Sequence, residues 1–145
     1  MDFMFINCPK LISVNFKNFK SSNVTSMIGL YKGCSSITSI DFHYLNGSSL
    51  QYMTSIFENC ISLKSINFAG FDTSNVLDMS YMFNSWVNLT SIDLSILNIS
   101  NVKNLYSMFN NCTQLSIVNL ENVITPYAEN MTYMFNACYN LLKID

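Results

Sequence analysis

Cysteine is the residue type in this 145-residue chain whose spacing first suggests chemistry. The five cysteines fall on a register of 26 residues, at Cys8, Cys34, Cys60, Cys112 and Cys138, and Trp86 occupies the remaining station. Stations two apart would lie roughly 10 Å from each other at strand spacing, beyond disulfide reach, and no CxxC or CxH pair suggests zinc. Apolar columns flank every cysteine, so the sequence favours buried free thiols over a disulfide framework or a zinc site.

Catalytic chemistry has little support in the remaining residues. His43 is the single histidine, and a lone histidine without a second base or a metal ligand makes a poor catalytic centre. No GxSxG, HExxH, P-loop or GxGxxG motif occurs, and the chain has only four glycines. The sequence therefore predicts no catalytic residues, no metal site, no cofactor and no enzyme activity.

The composition argues against two further classes of partner. The net charge is −2 and all seven basic residues are lysines, so neither surplus charge nor guanidinium groups favour nucleic acid. No apolar run approaches the roughly 20 residues that span a bilayer, and the start MDFMFINCPK does not read as a signal peptide. The sequence predicts neither nucleic-acid binding nor membrane insertion.

The 26-residue register extends well beyond the cysteines. An aromatic residue stands three positions before each station, and an aliphatic residue stands three positions after it. These two columns are Phe5, Tyr31, Phe57, Phe83, Phe109 and Phe135, and Leu11, Ile37, Leu63, Leu89, Leu115 and Leu141. Such agreement over about five and a half periods, without an insertion, indicates a repeat protein.

Each period contains two apolar patterns. Ile66 and Phe68 alternate with polar neighbours, which predicts a half-buried strand. Met79, Met82 and Phe83 are spaced three and four apart, which predicts a short helix. Good N-cap residues precede that helix in successive periods, namely Asn23, Ser49, Asn75 and Asn101.

One strand and one helix cannot bury their apolar faces alone, so the periods are predicted to stack. The expected fold class is an α/β repeat solenoid of about five and a half 26-residue turns, forming a single domain over residues 1–145. Helices need roughly 8–10 Å of spacing and strands about 4.8 Å, so the parallel β-sheet should lie on the concave side and the short helices on the convex side. Stacking also predicts that Ile66 lies against Ile92, and Leu63 against Leu89.

The pattern LxxIxF with a 26-residue return resembles leucine-rich repeats. More specifically, FDTSNVLDMSYMF at residues 71–83, with Asn59-Cys60 and Leu63 at their stations, resembles the BspA-type leucine-rich repeats, the bacterial surface-protein 26-residue repeat family. Trp86 in place of cysteine, Leu105 in place of methionine and residues 121–129 depart from that pattern. The resemblance implies a cell-surface or extracellular location and a role in adhesion; a cytoplasmic location is the alternative.

The outward strand positions are the candidate binding site. They carry a polar row on the predicted concave face, where leucine-rich repeats commonly bind partners, comprising Asn15, Asp41, His43, Asn67, Asp93 and Asn119. A solvated face with no partner is the alternative interpretation. The slot that holds Trp86 is expected to lie near the edge, where the indole ring can lean outward. A binding hot spot at Trp86 is a further hypothesis.

Two functions follow from these observations. The first is a non-enzymatic recognition or adhesion module that binds a protein or glycan through the concave face. The second is a structural spacer or self-associating element, because neither terminal repeat has a polar cap. On this interpretation the chain is a segment of a longer array, or its ends are covered end to end by another copy.

Overall fold

The chain winds into stacked layers of 26 residues, and the computed structural model describes residues 1–145. Its strands are β1 (Ser39–Asp41), β2 (Ser65–Asn67), β3 (Ser91–Asp93), β4 (Ile117–Asn119) and β5 (Lys143–Ile144). They form two parallel sheets, β1-β2 and β3-β4-β5. Ile40 pairs with Ile66, and Val118 pairs with Ile144, each across one period. The predicted 26-residue layers and parallel strands are thereby confirmed.

The predicted convex-side helices are absent, and the segments concerned form successive turns. Met82 donates its N–H to the carbonyl of Met79 at 3.2 Å, and Trp86 donates to Phe83 at 3.2 Å. Alternate N–H groups leave the layer, as when Tyr81 donates to Tyr106 at 2.9 Å. Because these donors are committed to the next layer, the bonds to residue i−4 that define an α-helix cannot form.

Left-handed backbone at two positions per layer produces these turns. Tyr81 has a φ of 56° and Ser85 a φ of 58°, each at the third position of a turn. The same two columns contain Gly29, with a φ of 57°, and Gly33, with a φ of 76°. Apolar spacing of three and four residues thus fits stacked turns as well as a helix, and the φ values exclude the helix.

The loss of the helices also removes the reason for the predicted curvature. Turn-side layers are joined by backbone bonds such as Phe57 N–H to Met82 C=O at 3.1 Å and Asn59 N–H to Asn84 C=O at 3.0 Å. Of 75 backbone hydrogen bonds, only 5 lie within the strands, so turns and layer-to-layer contacts outside the strands carry the rest. Because the turn side also stacks through backbone hydrogen bonds, the predicted concave curvature has no structural basis. The surface formed by the sheets is therefore named the strand face.

The predicted apolar columns form a continuous core of 33 buried residues. Its clearest column is a stack of six aromatic rings, in which Phe57 and Phe83 lie 5.7 Å apart and Phe83 and Phe109 lie 5.2 Å apart. The planes of these neighbouring rings differ by 18° and 14°, so the rings stack face to face along the solenoid axis. Each layer thereby buries the apolar surface of the next.

The predicted N-cap residues have a different role. Asn75 donates its side-chain amide to the carbonyl of Ser48 at 2.8 Å, and Asn101 donates to Ser74 at 2.7 Å. Ser49 likewise donates its hydroxyl to the carbonyl of Ser22 at 2.7 Å. With no helix to cap, these short polar side chains satisfy carbonyl groups of the preceding layer.

The cysteine column lies inside the stack except at its ends. Cys34, Cys60 and Cys112 are buried, Cys138 is half-buried and Cys8 is exposed. The thiol of Cys60 donates to the carbonyl of Tyr31 at 3.1 Å, and that of Cys112 donates to Phe83 at 3.2 Å. Burial raises the pKa of Cys60 to about 12 and that of Cys112 to about 12.

The aromatic stack predicts that a buried ring contributes far more to the free energy of unfolding than an exposed ring of the last layer. Phe83→Ala removes a fully buried ring and should lower the free energy of unfolding by about 3–5 kcal/mol. Tyr139→Ala is the matched control, because Tyr139 is 81% exposed and should change stability by less than about 0.5 kcal/mol. Urea unfolding of both variants measures the difference, and equal losses would contradict the stacked core.

The buried thiols predict an alkaline loss of stability. Because the pKa of Cys60 and Cys112 is raised on folding, the unfolded chain ionises first, and unfolding becomes easier as pH rises from about 8.5 towards about 12. The double variant Cys60→Ala/Cys112→Ala should show a shallower fall in unfolding free energy over this range. Urea titrations at several pH values test this, and identical slopes would refute the contribution of the thiols.

Candidate functional site

The predicted polar row lies on the strand face, at the ends of the strands. Asn15, Asp41, His43, Asn67 and Asp93 are exposed, and Asn119 is half-buried. Asp41, Asn67, Asp93 and Asn119 are the last residues of β1 to β4, while Asn15 lies before β1 in a layer without a strand. The structure thus places the row on one surface, as the register predicts.

Each Asn and Asp of the row also closes the turn that follows it, a role that the sequence analysis missed. Asp41 accepts the N–H of His43 on its Oδ1 at 2.8 Å, and Asp93 accepts that of Ser95 at 2.9 Å. Asn15, Asn67 and Asn119 accept the N–H two residues onward in the same way. Asp and Asn are favoured here because a short side-chain acceptor can close this turn.

Contacts between layers explain the alternation of Asp and Asn along the row. Asn67 donates its Nδ2 to Oδ1 of Asp41 at 3.0 Å, which relieves the charge of the carboxylate. Hydrogen bonds from Ser95, and to a smaller extent from Asn119, hold the pKa of Asp93 below its ordinary value. The carboxylate of Asp93 therefore stays ionised at neutral pH, and the row presents fixed acceptors at the strand ends.

The row is divided rather than evenly spaced. No Cα atom of β2 lies within 8 Å of a Cα atom of β3, so Asn67 and Asp93 do not stand on adjacent paired strands. The predicted stacking of Ile66 on Ile92 is therefore not realised as a strand pair, and residues 13–15 are not paired with β1 either. The strand face consequently has two parts, one ending at β2 and one beginning at β3.

The polar row consists of hydrogen-bonding side chains held by their own turns. The ring of His43 packs edge-on against Tyr44 at 5.1 Å and faces solvent. No group of three or more His, Cys, Asp or Glu side chains is placed to hold a metal ion, and no buried side-chain nitrogen or oxygen lacks a hydrogen-bond partner. What the face presents to a ligand is therefore hydrogen-bonding groups on a rigid backbone.

Trp86 does not lean outward as expected. Its side chain is buried, with 2% exposed, and its Nε1 donates to the carbonyl of Leu63 at 2.6 Å. The ring of Phe83 packs against it at 5.4 Å. This burial leaves the indole almost no free surface, so the structure gives no support to a hot spot formed by the ring itself.

A second polar ladder on the turn side escaped the sequence analysis. Lys32 pairs with Glu58 at 2.8 Å, Asn84 donates to Glu58 at 3.2 Å and Asn110 donates to Asn84 at 2.9 Å. Asn136 continues the ladder to Asn110 at 2.7 Å. The recurrence of Asn at one station of the register is the signal for it, since stacked amides hydrogen-bond along the axis.

The comparison with protein families assigns the chain. A family described as "Mycoplasma protein of unknown function, DUF285" matches residues 1–67 and 41–143. The chain belongs to the DUF285 family. The two matched segments together cover nearly all of its layers, and no curated protein shows significant similarity to the chain.

Two solved structures show the same fold as this DUF285 chain. A leucine-rich cell surface protein from Faecalibacterium prausnitzii A2-165 is 22% identical, with a TM-score of 0.58 over 84% of this chain. The T. pallidum leucine-rich repeat protein TpLRR is 19% identical, with a TM-score of 0.62 over 99% of this chain. The chain corresponds to 29% and 61% of their lengths. The chain therefore has a leucine-rich-repeat-like fold.

The structure contains no helix with the length and hydrophobicity needed to span a bilayer.

Proposed function

We propose that this chain is a non-enzymatic recognition module of a cell-surface leucine-rich-repeat protein, which binds a protein or glycan through the strand face. The observation that supports the proposal is the exposed row of Asn and Asp side chains, each fixed by a hydrogen bond to the backbone two residues onward. Such fixation lowers the entropy lost when a ligand binds.

The chemistry of the row suggests the class of ligand. The side-chain oxygens of Asp41 and Asp93 keep lone pairs free for donors after closing their turns. The neighbouring strand positions add the exposed hydroxyls of Ser39, Ser65 and Ser91. Hydroxyl groups of a glycan, or amide and ammonium groups of a protein, match these acceptors. An anionic ligand such as nucleic acid does not.

The cellular location is part of the same proposal. The F. prausnitzii neighbour is described as a cell surface protein, and the motif at residues 71–83 resembles BspA-type repeats. On this basis we place the chain in the BspA-type group, at the cell surface or outside the cell. Protease treatment of intact cells, followed by detection of the chain, distinguishes this location from the cytoplasmic alternative.

Paired substitutions in the row test binding. Wild-type chain is applied to a glycan array and to a panel of purified extracellular-matrix proteins, and each ligand found is retested. Asp41→Lys/Asp93→Lys blocks the face and should weaken binding at least about tenfold. Asp41→Asn/Asp93→Asn keeps the turn acceptors, as Asn does elsewhere in the row, and isolates the effect of charge.

Asp72→Lys is the matched control, because Asp72 also accepts a backbone N–H, from Ser74 at 2.9 Å, but lies outside the row. It should reproduce the small stability loss of one missing turn bond, about 0.5–1.5 kcal/mol, without loss of binding. Unchanged binding by Asp41→Lys/Asp93→Lys, or no ligand in either panel, would contradict the proposed function.

A second candidate function is end-to-end self-association or spacing. Exposed apolar side chains concentrate in the terminal layers, where Phe3 is 49%, Tyr139 81% and Leu142 85% exposed. The two ends carry successive members of the same columns, so one end of a copy is shaped to continue the other end of a second copy.

Light scattering on the isolated chain tests this second function. Oligomers that grow with concentration, and that Leu142→Lys suppresses, are the expected result if the ends associate. Thr113→Lys, at a half-buried turn away from the end face, serves as the control for added charge. A monomer at all concentrations would exclude self-association of this chain.

A further inference from the structure

The sheet is interrupted between β2 and β3. Paired strands lie about 4.8 Å apart, yet no Cα atom of β2 is within 8 Å of one in β3. The separation of β2 and β3 therefore exceeds that of a paired ladder at every position of the two strands.

Backbone groups on both sides of the gap lack partners that their equivalents have at three other junctions. Phe42 donates to Asn67 at 2.9 Å and Leu94 donates to Asn119 at 3.0 Å, but the equivalent bond from Phe68 to the next layer is missing. Ser116 donates to Thr90 at 2.9 Å, and the equivalent bond from Thr90 to the preceding layer is missing too. The first layer is likewise unpaired with the second, but between β2 and β3 the free groups face each other across a gap inside the stack.

Trp86 lies directly beneath the gap. At the same station, the small thiols of Cys60 and Cys112 fit beneath the strands and donate to the preceding layer. The larger indole instead fills the space under β2 and β3, with its N–H on Leu63. The turn side stays closed in these layers, with Asn59 donating to Asn84 at 3.0 Å, so the opening is confined to the strand face.

A cavity occupies the gap and combines an apolar floor with a polar rim. It measures about 210 Å³ and has Ile66, Phe68, Trp86 and Ile92 among its apolar walls. A groove of about 580 Å³ adjoins it where the chain enters the two strands. Lys64, Leu89 and Ser91 line both, so the two form one channel along the strand direction.

We propose that this gap binds one extended peptide segment of a partner protein, which enters as an additional parallel strand between β2 and β3. An inserted strand needs about 9–10 Å between its two neighbours, and β2 and β3 are more than 8 Å apart at every Cα pair, so an inserted strand would pair with the free backbone groups on both sides. The inserted strand would extend the parallel ladders β1-β2 and β3-β4, which already exist on either side of the gap.

The lining also specifies the side chains of the peptide. Successive residues of a strand point to opposite faces, so one residue would face the cavity between Ile66 and Ile92, and its neighbours would face solvent beside Lys64 and Asp93. An apolar residue with polar residues on each side fits, as in the Ser-Ile-Asp of β3 itself. A glycan lacks the alternating N–H and C=O groups that this gap requires.

The proposal goes beyond the proposed function, because it depends on backbone groups inside the gap and not on the side chains of the polar row. Either one can fail while the other stands. Trp86→Cys leaves Asp41 and Asp93 in place, and Asp41→Lys leaves the gap open. The two sets of variants therefore separate the two sites.

The first test uses amide hydrogen exchange on the wild-type chain. The probe is a synthetic peptide with the sequence Leu-Thr-Ser-Ile-Asp-Leu-Ser, a copy of residues 89–95, at about 1 mM. Without peptide, the amides of Phe68 and Thr90 should exchange faster than those of Phe42 and Leu94. With peptide, the Phe68 amide should exchange at least about tenfold more slowly.

The same peptide methylated on alternate backbone nitrogens is the matched control, and it should give no protection because its donors are blocked. No change at Phe68 with the unmodified peptide would overturn the proposal. Protection confined to the free edge of β5, without any at Phe68, would overturn it as well, because the peptide would then extend the end of the solenoid.

The second test closes the gap. Trp86→Cys restores the residue found at the other stations, so β2 and β3 should pair, the Phe68 amide should become protected without peptide, and peptide binding should be lost. Tyr139→Cys is the control, since it also exchanges an aromatic ring for a thiol but lies 81% exposed in the last layer. If Trp86→Cys bound the peptide as tightly as the wild-type chain does, the proposal would be refuted. If this variant does not fold, the hydrogen-exchange experiment on the wild-type chain decides alone.

Discussion

Backbone hydrogen bonds between residues 25 or 26 positions apart hold each layer of this protein to the next. They run through the strands and through the turns, as in the bonds from Lys64 to Thr38 and from Tyr81 to Tyr106. Such bonds form only where donor and acceptor of adjacent layers stay within about 3 Å of each other, as they do on the turn side of every layer. Every column of side chains must then fit a fixed layer spacing, which explains why the register tolerates no insertion.

The same constraint determines how polar residues are used. Side-chain amides recur where a carbonyl of the preceding layer needs a donor, as at Asn88, which donates to Ile61 at 2.7 Å. Asp41 and Asn67 of the polar row are bound twice, to their own turn and to each other across two layers, so these residue types serve the architecture before any ligand. A row built for the fold is also rigid, and rigidity is what makes it suitable for recognition.

Strand pairing is the weakest connection between the layers. Only a few strand bonds join adjacent layers on the strand face, whereas the turn side has several. Between β2 and β3 the pairing is absent above the indole of Trp86, a side chain that a closely packed interior cannot absorb in place of a thiol without movement. The first layer is also unpaired with β1, although Cys34 occupies its station. In both places the turn side stays joined by backbone hydrogen bonds.

The sequence by itself determined the 26-residue layers, the parallel strands and the aromatic and cysteine columns, because identical units bury their apolar faces only by stacking in register. It also placed Asp41, Asn67 and Asp93 on one surface, since strand residues alternate between faces. Only the tertiary structure decided between turns and helices at Met79–Trp86, because the same apolar spacing suits both and the choice depends on which layer receives each N–H. It alone revealed that Trp86 is buried and that β2 and β3 are apart, because the outcome of overfilling a slot depends on how the neighbouring layers yield, and no single layer contains that information.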